Sequence, residues 1–355
     1  MSVDLEFLRS LCLAPGPSGF EAPAQELVRS RAAAVATVHD DALGNVWAET
    51  GPEGGPHVVV AAHIDQIGMI VTYVDEHGFV SFGKIGGIDD SIFAGRHIVI
   101  HSADGLVHGV VGKAPQHILT DAEKGKAPPV TEQFIDIGAP DRETALARIS
   151  VGDPITFTPD FVELSPGIVA GQAMDDRAGV YITVRALELY AAMQGKARFT
   201  AVATVHEETT FMGARAQAYR MQPDCTIVID GDFDSGNPYV DPKKVAGEVK
   251  LGAGPVLGRG AGSNEALLRL ARDVARAEDI PVQIKAYPTG TSTDAEELMA
   301  SGVGATLSLS FPTRYMHSPF EVVATADLEA AAHLVAALIA RVGETFEPGC
   351  FVPRA

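Results

Sequence analysis

The run His63-Ile-Asp65 follows the apolar stretch Val58-Val-Val-Ala-Ala62 directly. Residues two apart in an extended segment face the same side, so His63 and Asp65 can act together, one holding a metal and the other supporting it. Asp175-Asp176-Arg177 stands where a loop enters a helix. An N-cap with acids favoured by the helix dipole accounts for one of these two aspartates. The setting Gly171-Gln-Ala-Met-Asp-Asp-Arg-Ala-Gly179 supplies small residues that let backbone approach closely. Glu207 and Glu208 follow a second apolar run, 199–205. Consecutive strand residues point to opposite faces, which argues against a glycosidase pair of carboxyls facing each other across a sugar. At a strand end the backbone can turn, and both acids can then serve one centre, one binding metal while the other moves a proton. Ile227-Val-Ile-Asp230 ends a further apolar run in an acid, with Asp232 its rival as a ligand. His317 lies just past the apolar run 305–309.

Each piece alone has a bland reading: a hydrogen-bonded imidazole, a capped helix, solvated acids on a rim. The set is stronger. His63, Asp175, Glu208, Asp230 and His317 each sit at a strand end, just past one, or at a helix start. Two histidines and three carboxylates, with no cysteine, suit Zn, Co or Mn. Five ligands with one bridging suit two divalent ions about 3.5–4 Å apart.

The elements that must position these residues follow from periodicity. Helices are expected over 3–12, 22–34, 177–193, 265–278 and 326–341, and strands over 46–50, 58–62, 199–205, 226–229, 282–286 and 305–309. Between 68 and 166 short apolar runs (68–73, 80–82, 98–100, 105–111 and 154–157) alternate with Gly and Asp turns, the rhythm of a small β-barrel or sandwich. Alternating strands and helices elsewhere imply an α/β fold with a mixed, largely parallel sheet covered by helices on both faces. The expected organisation is therefore a catalytic domain of residues 1–67 plus 167–355, interrupted by a β-rich insertion at 68–166.

Composition narrows the partners. The 355 residues carry 27 Lys+Arg against 46 Asp+Glu, a net charge of −19. Such a chain is repelled by polyphosphate, so nucleic acid and anionic membrane are poor partners. Three widely separated cysteines, Cys12, Cys225 and Cys350, form no disulfide framework or zinc ribbon. The first residues lack a signal peptide's basic and apolar regions, and no run is long enough to span a membrane, so a cytoplasmic enzyme is expected.

The chain resembles the glutamyl and tetrahedral aminopeptidases, cytosolic dinuclear metallopeptidases. The resemblance covers nearly the whole chain, through Ala14-Pro-Gly-Pro-Ser-Gly-Phe-Glu21, Ala62-His-Ile-Asp-Gln-Ile-Gly68, Ala173-Met-Asp-Asp-Arg-Ala-Gly179, His206-Glu-Glu208, Thr293-Asp-Ala295 and Arg314-Tyr-Met-His-Ser-Pro319. It implies that His63 and Asp230 bind one metal, that Glu208 and His317 bind the other, and that Asp175 bridges. It implies a cis Asp175–Asp176 peptide, Glu207 as general base and Asp65 orienting His63. It also implies a peptide substrate with a free N-terminus, an insertion domain that dimerises, and homo-oligomers up to a tetrahedral dodecamer. The chain departs from the family pattern at Gln66 (usually Glu), at Thr209-Thr210 (usually Val-Gly) and at Thr291-Ser292 (usually Gly-Gly). The expected ligands and base are all retained, so activity is expected to survive and specificity or assembly to vary. Rival readings are a carboxypeptidase, a dipeptidase or an N-acyl-amino-acid deacylase of the same clan, then a glycoside hydrolase or a non-enzymatic scaffold.

Overall fold

The β-branched and alanine runs become the centre of a sheet. The computed structural model describes residues 3–121, 124–300, 302, 304–347 and 349–352. Its helices are α1 (Leu5–Leu13), α2 (Ala22–Ala32), α3 (Arg142–Leu146), α4 (Met174–Met193), α5 (Met212–Arg220), α6 (Glu265–Ala277), α7 (Asp294–Ala300) and α8 (Thr325–Thr345). Its early strands are β1 (Thr37–Asp40), β2 (Val46–Thr50), β3 (His57–His63), β4 (Gly68–Val74), β5 (Val80–Ile85), β6 (His97–Ser102), β7 (Gly105–Val111), β8 (Ile135–Asp136) and β9 (Pro154–Phe157). The later strands are β10 (Phe161–Ser165), β11 (Ile168–Gly171), β12 (Arg198–Thr204), β13 (Cys225–Phe233), β14 (Val256–Gly260), β15 (Gln283–Tyr287), β16 (Ala305–Arg314) and β17 (Glu321–Ala324).

Among the described residues, eleven strands form the large sheet, in the order β1-β2-β12-β3-β13-β16-β17-β11-β10, with β14 and β15 branching from β16. The four strands at its centre, β12, β3, β13 and β16, are mutually parallel. The flanking pairs β1–β2, β16–β17, β11–β17 and β10–β11 are antiparallel. Alternation along β3 serves both faces, as a pleated strand requires. Val58, Val60 and Ala62 join the core built with α1, α2, α4, α6 and α8. Val59 and Ala61 join the smaller core under α5 and α7.

The chain leaves the sheet after β3 and returns at β10. Between them β4-β5-β8-β7-β6-β9 closes into an antiparallel barrel. Closure removes the exposed edges that a small open sheet would present. The barrel has its own apolar core, including Met69, Val71, Phe82, Phe93, Ile98, Ile100 and Ile155. Within the range 68–166, β10 pairs with β11 of the large sheet, so the barrel strands end at Phe157. The turn at Pro166-Gly167 folds β10 back onto β11, and Gly167 has φ +78°, a left-handed conformation that favours glycine.

One local expectation is corrected. Neither Asp175 nor Asp176 caps α4 as an N-cap would: the span opens after Ala173 with no side-chain cap, and the chain kinks at these two aspartates before regular helix runs on from Arg177. Asp175 and Asp176 have non-helical backbone angles and are joined by a cis peptide bond. Cys12 and Cys225 are buried and Cys350 exposed, all as free thiols. Among the described residues, no helix is long and apolar enough to cross a membrane.

Candidate active site

Four parallel strands direct their carboxyl ends to one edge of the sheet, where open α/β sheets hold their ligands. His63 is the last residue of β3, and Asp230 lies in the outer half of β13. Glu207 and Glu208 follow β12, His317 follows β16, and the start of α4 carries Asp175 to the same place. His206, Phe211, Tyr315 and His317 adopt left-handed conformations. Non-glycine residues in that region carry strain that concentrates at functional sites.

The side chains meet. His63 Nε2 is 3.2 Å from Asp175 Oδ1 and 3.8 Å from Glu207 Oε2. His317 Nε2 is 3.6 Å from Asp175 Oδ2 and 3.4 Å from Glu208 Oε2. Asp230 joins His63 and Glu207 in a group whose ligand atoms all lie within 4.8 Å of one another, and His63, Asp175 and Glu208 form another. Asp232, the rival ligand, is engaged elsewhere: its carboxylate is paired with Lys285 Nζ and accepts the Tyr287 hydroxyl at 2.8 Å.

The supporting contacts explain how adjacent glutamates reach one centre. The Glu207 and Glu208 amides donate to Asp65 Oδ1 at 3.0 Å and Oδ2 at 3.1 Å. Asp65, fully buried, also accepts the Ser18 hydroxyl at 2.6 Å and lies 3.4 Å from His63 Nδ1. Glu321, also buried, clamps the other side: the Asp175 amide donates to one oxygen at 2.9 Å and the His317 amide to the other at 2.8 Å. His317 Nδ1 lies 2.8 Å from the Gly87 carbonyl, so the barrel side of the molecule reaches the site. A carbonyl only accepts, which puts the proton of a neutral His317 ring on Nδ1 and leaves Nε2 facing the carboxylates. The Asp65 carbonyl, 3.2 Å from His63 Nδ1, does the same for His63.

Electrostatics express the crowding. Burial, then the neighbouring carboxylates Asp230 and Asp294, push the Glu207 carboxyl up to about 10. Burial and Asp175 raise both Glu208 and Asp230 well above the ordinary carboxylate range. Burial alone would favour neutral His63, yet Glu207, Asp175 and Asp65 together raise its pKa well above that of a free imidazole. Among the described residues these clustered carboxyls have two imidazoles beside them, and their raised proton affinities mark a site short of positive charge. That deficit and a donor set of nitrogen and oxygen fit bound divalent cations.

All five expected ligands and Glu207 therefore come together, with Asp65 beneath them. A cavity of about 560 Å³ opens onto this cluster and is also lined by Thr209, Phe233, Lys285, Tyr287, Thr291–Thr293 and Met316. Ser18, Glu321, Lys285 and Tyr287 escape a reading of the sequence. Glu321 has one local signal, its place four residues after His317.

A family model described as M42 glutamyl aminopeptidase matches residues 44–334. The lysyl aminopeptidase of Pyrococcus furiosus is 33% identical over 99% of this chain and 100% of its own. Among solved structures, the TET aminopeptidase of the marine sediment archaeon Thaumarchaeota archaeon SCGC AB-539-E09 superposes with a TM-score of 0.90 at 30% identity, covering 95% of this chain and 96% of that one. The Pyrococcus horikoshii TET1 peptidase, described as able to assemble into a tetrahedron or a large octahedral shell, has a TM-score of 0.86 at 31% identity, covering 94% of this chain and 98% of that one.

Proposed function

The chain belongs to the M42 glutamyl aminopeptidase family, and from that premise we propose that it hydrolyses the first residue from peptides with a free N-terminus at a dinuclear metal centre. The observation that carries the two-metal part is Asp175. Its two oxygens face different imidazoles, Oδ1 3.2 Å from His63 Nε2 and Oδ2 3.6 Å from His317 Nε2. His63 and Asp230 would hold one ion, Glu208 and His317 the other, and Asp175 would bridge. Zn, Co and Mn all fit these donors.

Bound there, the cations would supply Lewis-acid polarisation of the scissile carbonyl and a water acidified to near neutrality. The chain's own groups do the rest. Glu207, whose carboxylate reaches to 3.8 Å from His63 Nε2 at the edge of the ligand cluster and which the bound cations would hold ionised, takes the water's proton and returns it to the leaving amine. Asp65 fixes the His63 ring through Nδ1 and holds the Glu207 and Glu208 amides. Glu321 keeps Asp175 and His317 in step by accepting both their amides.

Residues 1–67 plus 167–355, together with β10 of the large sheet, would form the catalytic domain, and the barrel within the insertion at 68–166 the dimerisation domain. Dimers would assemble further, up to a tetrahedral dodecamer. Free thiols at Cys12, Cys225 and Cys350 support residence in a reducing cytoplasm.

Hydrolysis of leucyl-p-nitroanilide and of its N-acetylated form, each with and without chelator, tests the activity. The expected result is chelator-sensitive cleavage of the free amine only. Release of acetate from the blocked substrate would favour a deacylase, and cleavage of no member of a panel of acidic, basic and apolar aminoacyl-p-nitroanilides would remove the aminopeptidase reading.

A further inference from the structure

Glu207 and Glu208 ride on the connection between β12 and α5, residues 205–211. That stretch, Val205-His-Glu-Glu-Thr-Thr-Phe211, contains no glycine, yet His206 has φ +62° and Phe211 φ +56°. Left-handed backbone at non-glycine residues is disfavoured and persists where the surroundings enforce it. Inside the loop, the Thr210 and Phe211 amides both donate to the His206 carbonyl, at 3.0 and 2.8 Å. Asp65 accepts the Glu207 and Glu208 amides. The two ends of the loop are fixed by a residue distant in sequence, Asn45.

The β2–β12 ladder stops at the pair Val46–Ala203. Asn45, one residue further out and wholly buried, continues it with its side chain. Its Oδ1 accepts the Val205 amide at 3.1 Å, where the loop leaves β12. Its Nδ2 donates to the Gly213 carbonyl at 3.3 Å, where the chain has entered α5. The two ends also meet directly, the Gly213 amide donating to the Val205 carbonyl at 3.1 Å. The neck is so close that a Cβ on Gly213 would overlap that carbonyl oxygen and stand 2.7 Å from Asn45 Oδ1. One planar amide thus offers an acceptor to one end of the loop and a donor to the other. That division suits asparagine and not an ionised aspartate, whose two oxygens only accept.

Asn45 is itself held. Its Nδ2 also donates to Asp41 Oδ2 at 2.9 Å, and the same oxygen accepts Gln217 Nε2 of α5 at 2.8 Å. The other Asp41 oxygen accepts the Leu43, Gly44 and Asn45 amides at 3.0, 3.1 and 3.1 Å, which closes the turn between β1 and β2. The turn, the side chain it presents and α5 form one hydrogen-bonded block. Asn45 is buried and lies outside the lining of the cavity, so it acts on the reaction through the loop.

Resting on the aminopeptidase reading above, we propose that Asn45 is a positioning residue for the reaction: by bridging Val205 and Gly213 it fixes the loop, and with it the place of the Glu207 carboxylate relative to the scissile carbonyl. Glu207 stands two residues from Val205, so a change in chain direction at the neck displaces it. A displacement of about 1 Å can cost on the order of 100-fold in rate.

The test is kcat and KM for metal-saturated wild type, Asn45→Ala and Asp41→Asn, with bound metal measured in each sample. The substrate is the best-cleaved member of a panel of acidic, basic and apolar aminoacyl-p-nitroanilides, and each protein is assayed well below its own Tm. Asn45→Ala removes both bridging bonds and should lower kcat by about 10- to 100-fold with KM within about 3-fold of wild type. Asp41→Asn keeps an acceptor for the turn amides but sets an NH₂ group against Asn45 Nδ2, and should give a smaller drop in kcat, again at constant KM. A lower Tm with kcat unchanged makes Asn45 structural only and overturns the inference, as does a raised KM at unchanged kcat; the aminopeptidase reading survives either result. A variant that folds but cannot be loaded with metal overturns it too, since the loop would then serve Glu208 rather than Glu207. If Asn45→Ala fails to fold, Asp41→Asn decides by the same criteria. A wild type that cleaves no member of the panel overturns both readings.

Discussion

Replacing Asp65 by Asn changes one atom type at the point where the site is tied together. The Asp65 carboxylate is fully buried and accepts the Glu207 amide on one oxygen and the Glu208 amide and Ser18 hydroxyl on the other. Burial alone would raise its pKa; contact with His63 and the donors from Ser18 and Glu207 hold it below the ordinary range. The folded site thus favours the ionised form. An asparagine has one acceptor oxygen and one NH₂ group. Whichever way it turns, the NH₂ faces either the Glu207 amide or the Glu208 amide and Ser18. At least one buried donor loses its acceptor, at about 1–3 kcal/mol, and the surviving bonds lose their charge assistance. The sum is a loss of roughly 2–4 kcal/mol, and metal affinity should fall about 10- to 100-fold as His63 loses its support. Guanidinium unfolding of chelator-treated wild type and Asp65→Asn at equal concentration reads the first number, and competition with a chromogenic chelator reads the second. Stability within about 0.5 kcal/mol of wild type, the range of a surface substitution, together with unchanged metal affinity, would refute the hub assigned to Asp65.

Other substitutions probe other links. Gly16→Ala would place a methyl 2.5 Å from Arg177 Nη2, and Arg177 is fixed by hydrogen bonds to the Leu11, Ala14 and Ile64 carbonyls. It should destabilise by about 1–3 kcal/mol, seen as a lower Tm. His317→Ala removes a proposed ligand of one ion only, so metal analysis should find content falling from two toward one per chain, and an unchanged content would remove His317 from the ligand set. Asn264 Oδ1 accepts the Ala266 and Leu267 amides at the start of α6, at 3.0 and 3.1 Å. Asn264→Ala should cost about 0.5–2 kcal/mol in stability with little change in turnover.

The central strands were legible because each is a continuous apolar run buried on both faces. The runs at β3, β12, β13 and β16 announce themselves, and the helices α6 and α8 show a clear apolar stripe. The ends of β13 and β16 were not legible. The sequence suggests stops at Ile229 and Leu309, whereas the strands continue to Phe233 and Arg314. Their outer halves carry Asp230, Asp232 and Ser310, polar residues that line the cavity at the site, and Thr313, whose hydroxyl is bonded to the Val322 carbonyl. The strands β1, β14 and β17 and the helices α5 and α7 lack periodicity strong enough to stand out; α5 contains Gly213 and an exposed Arg215 and Tyr219. The two-residue strand β8 is too short for any pattern.

The candidate site divides in the same way. Residues that end apolar runs, His63 and Asp230, and the Glu207–Glu208 pair could be singled out as a set, because imidazoles and carboxylates recur at the ends of several strands of one sheet. Ser18, Glu321 and Lys285 act through contacts across 47, 146 and 53 residues of chain, distances over which spacing carries no signal. The departures from the family pattern at Thr209 and Thr291-Ser292 fall on the cavity wall. That placement accords with specificity, rather than the ligand set, being where this chain differs.

The most direct test of the central claim is turnover of leucyl-p-nitroanilide by Glu207→Gln, with bound metal measured in the same sample. Glutamine keeps the size of the side chain and can neither take nor return a proton. The account predicts metal content near wild type with turnover reduced by about 10²–10⁴-fold. Full metal with wild-type turnover would contradict it.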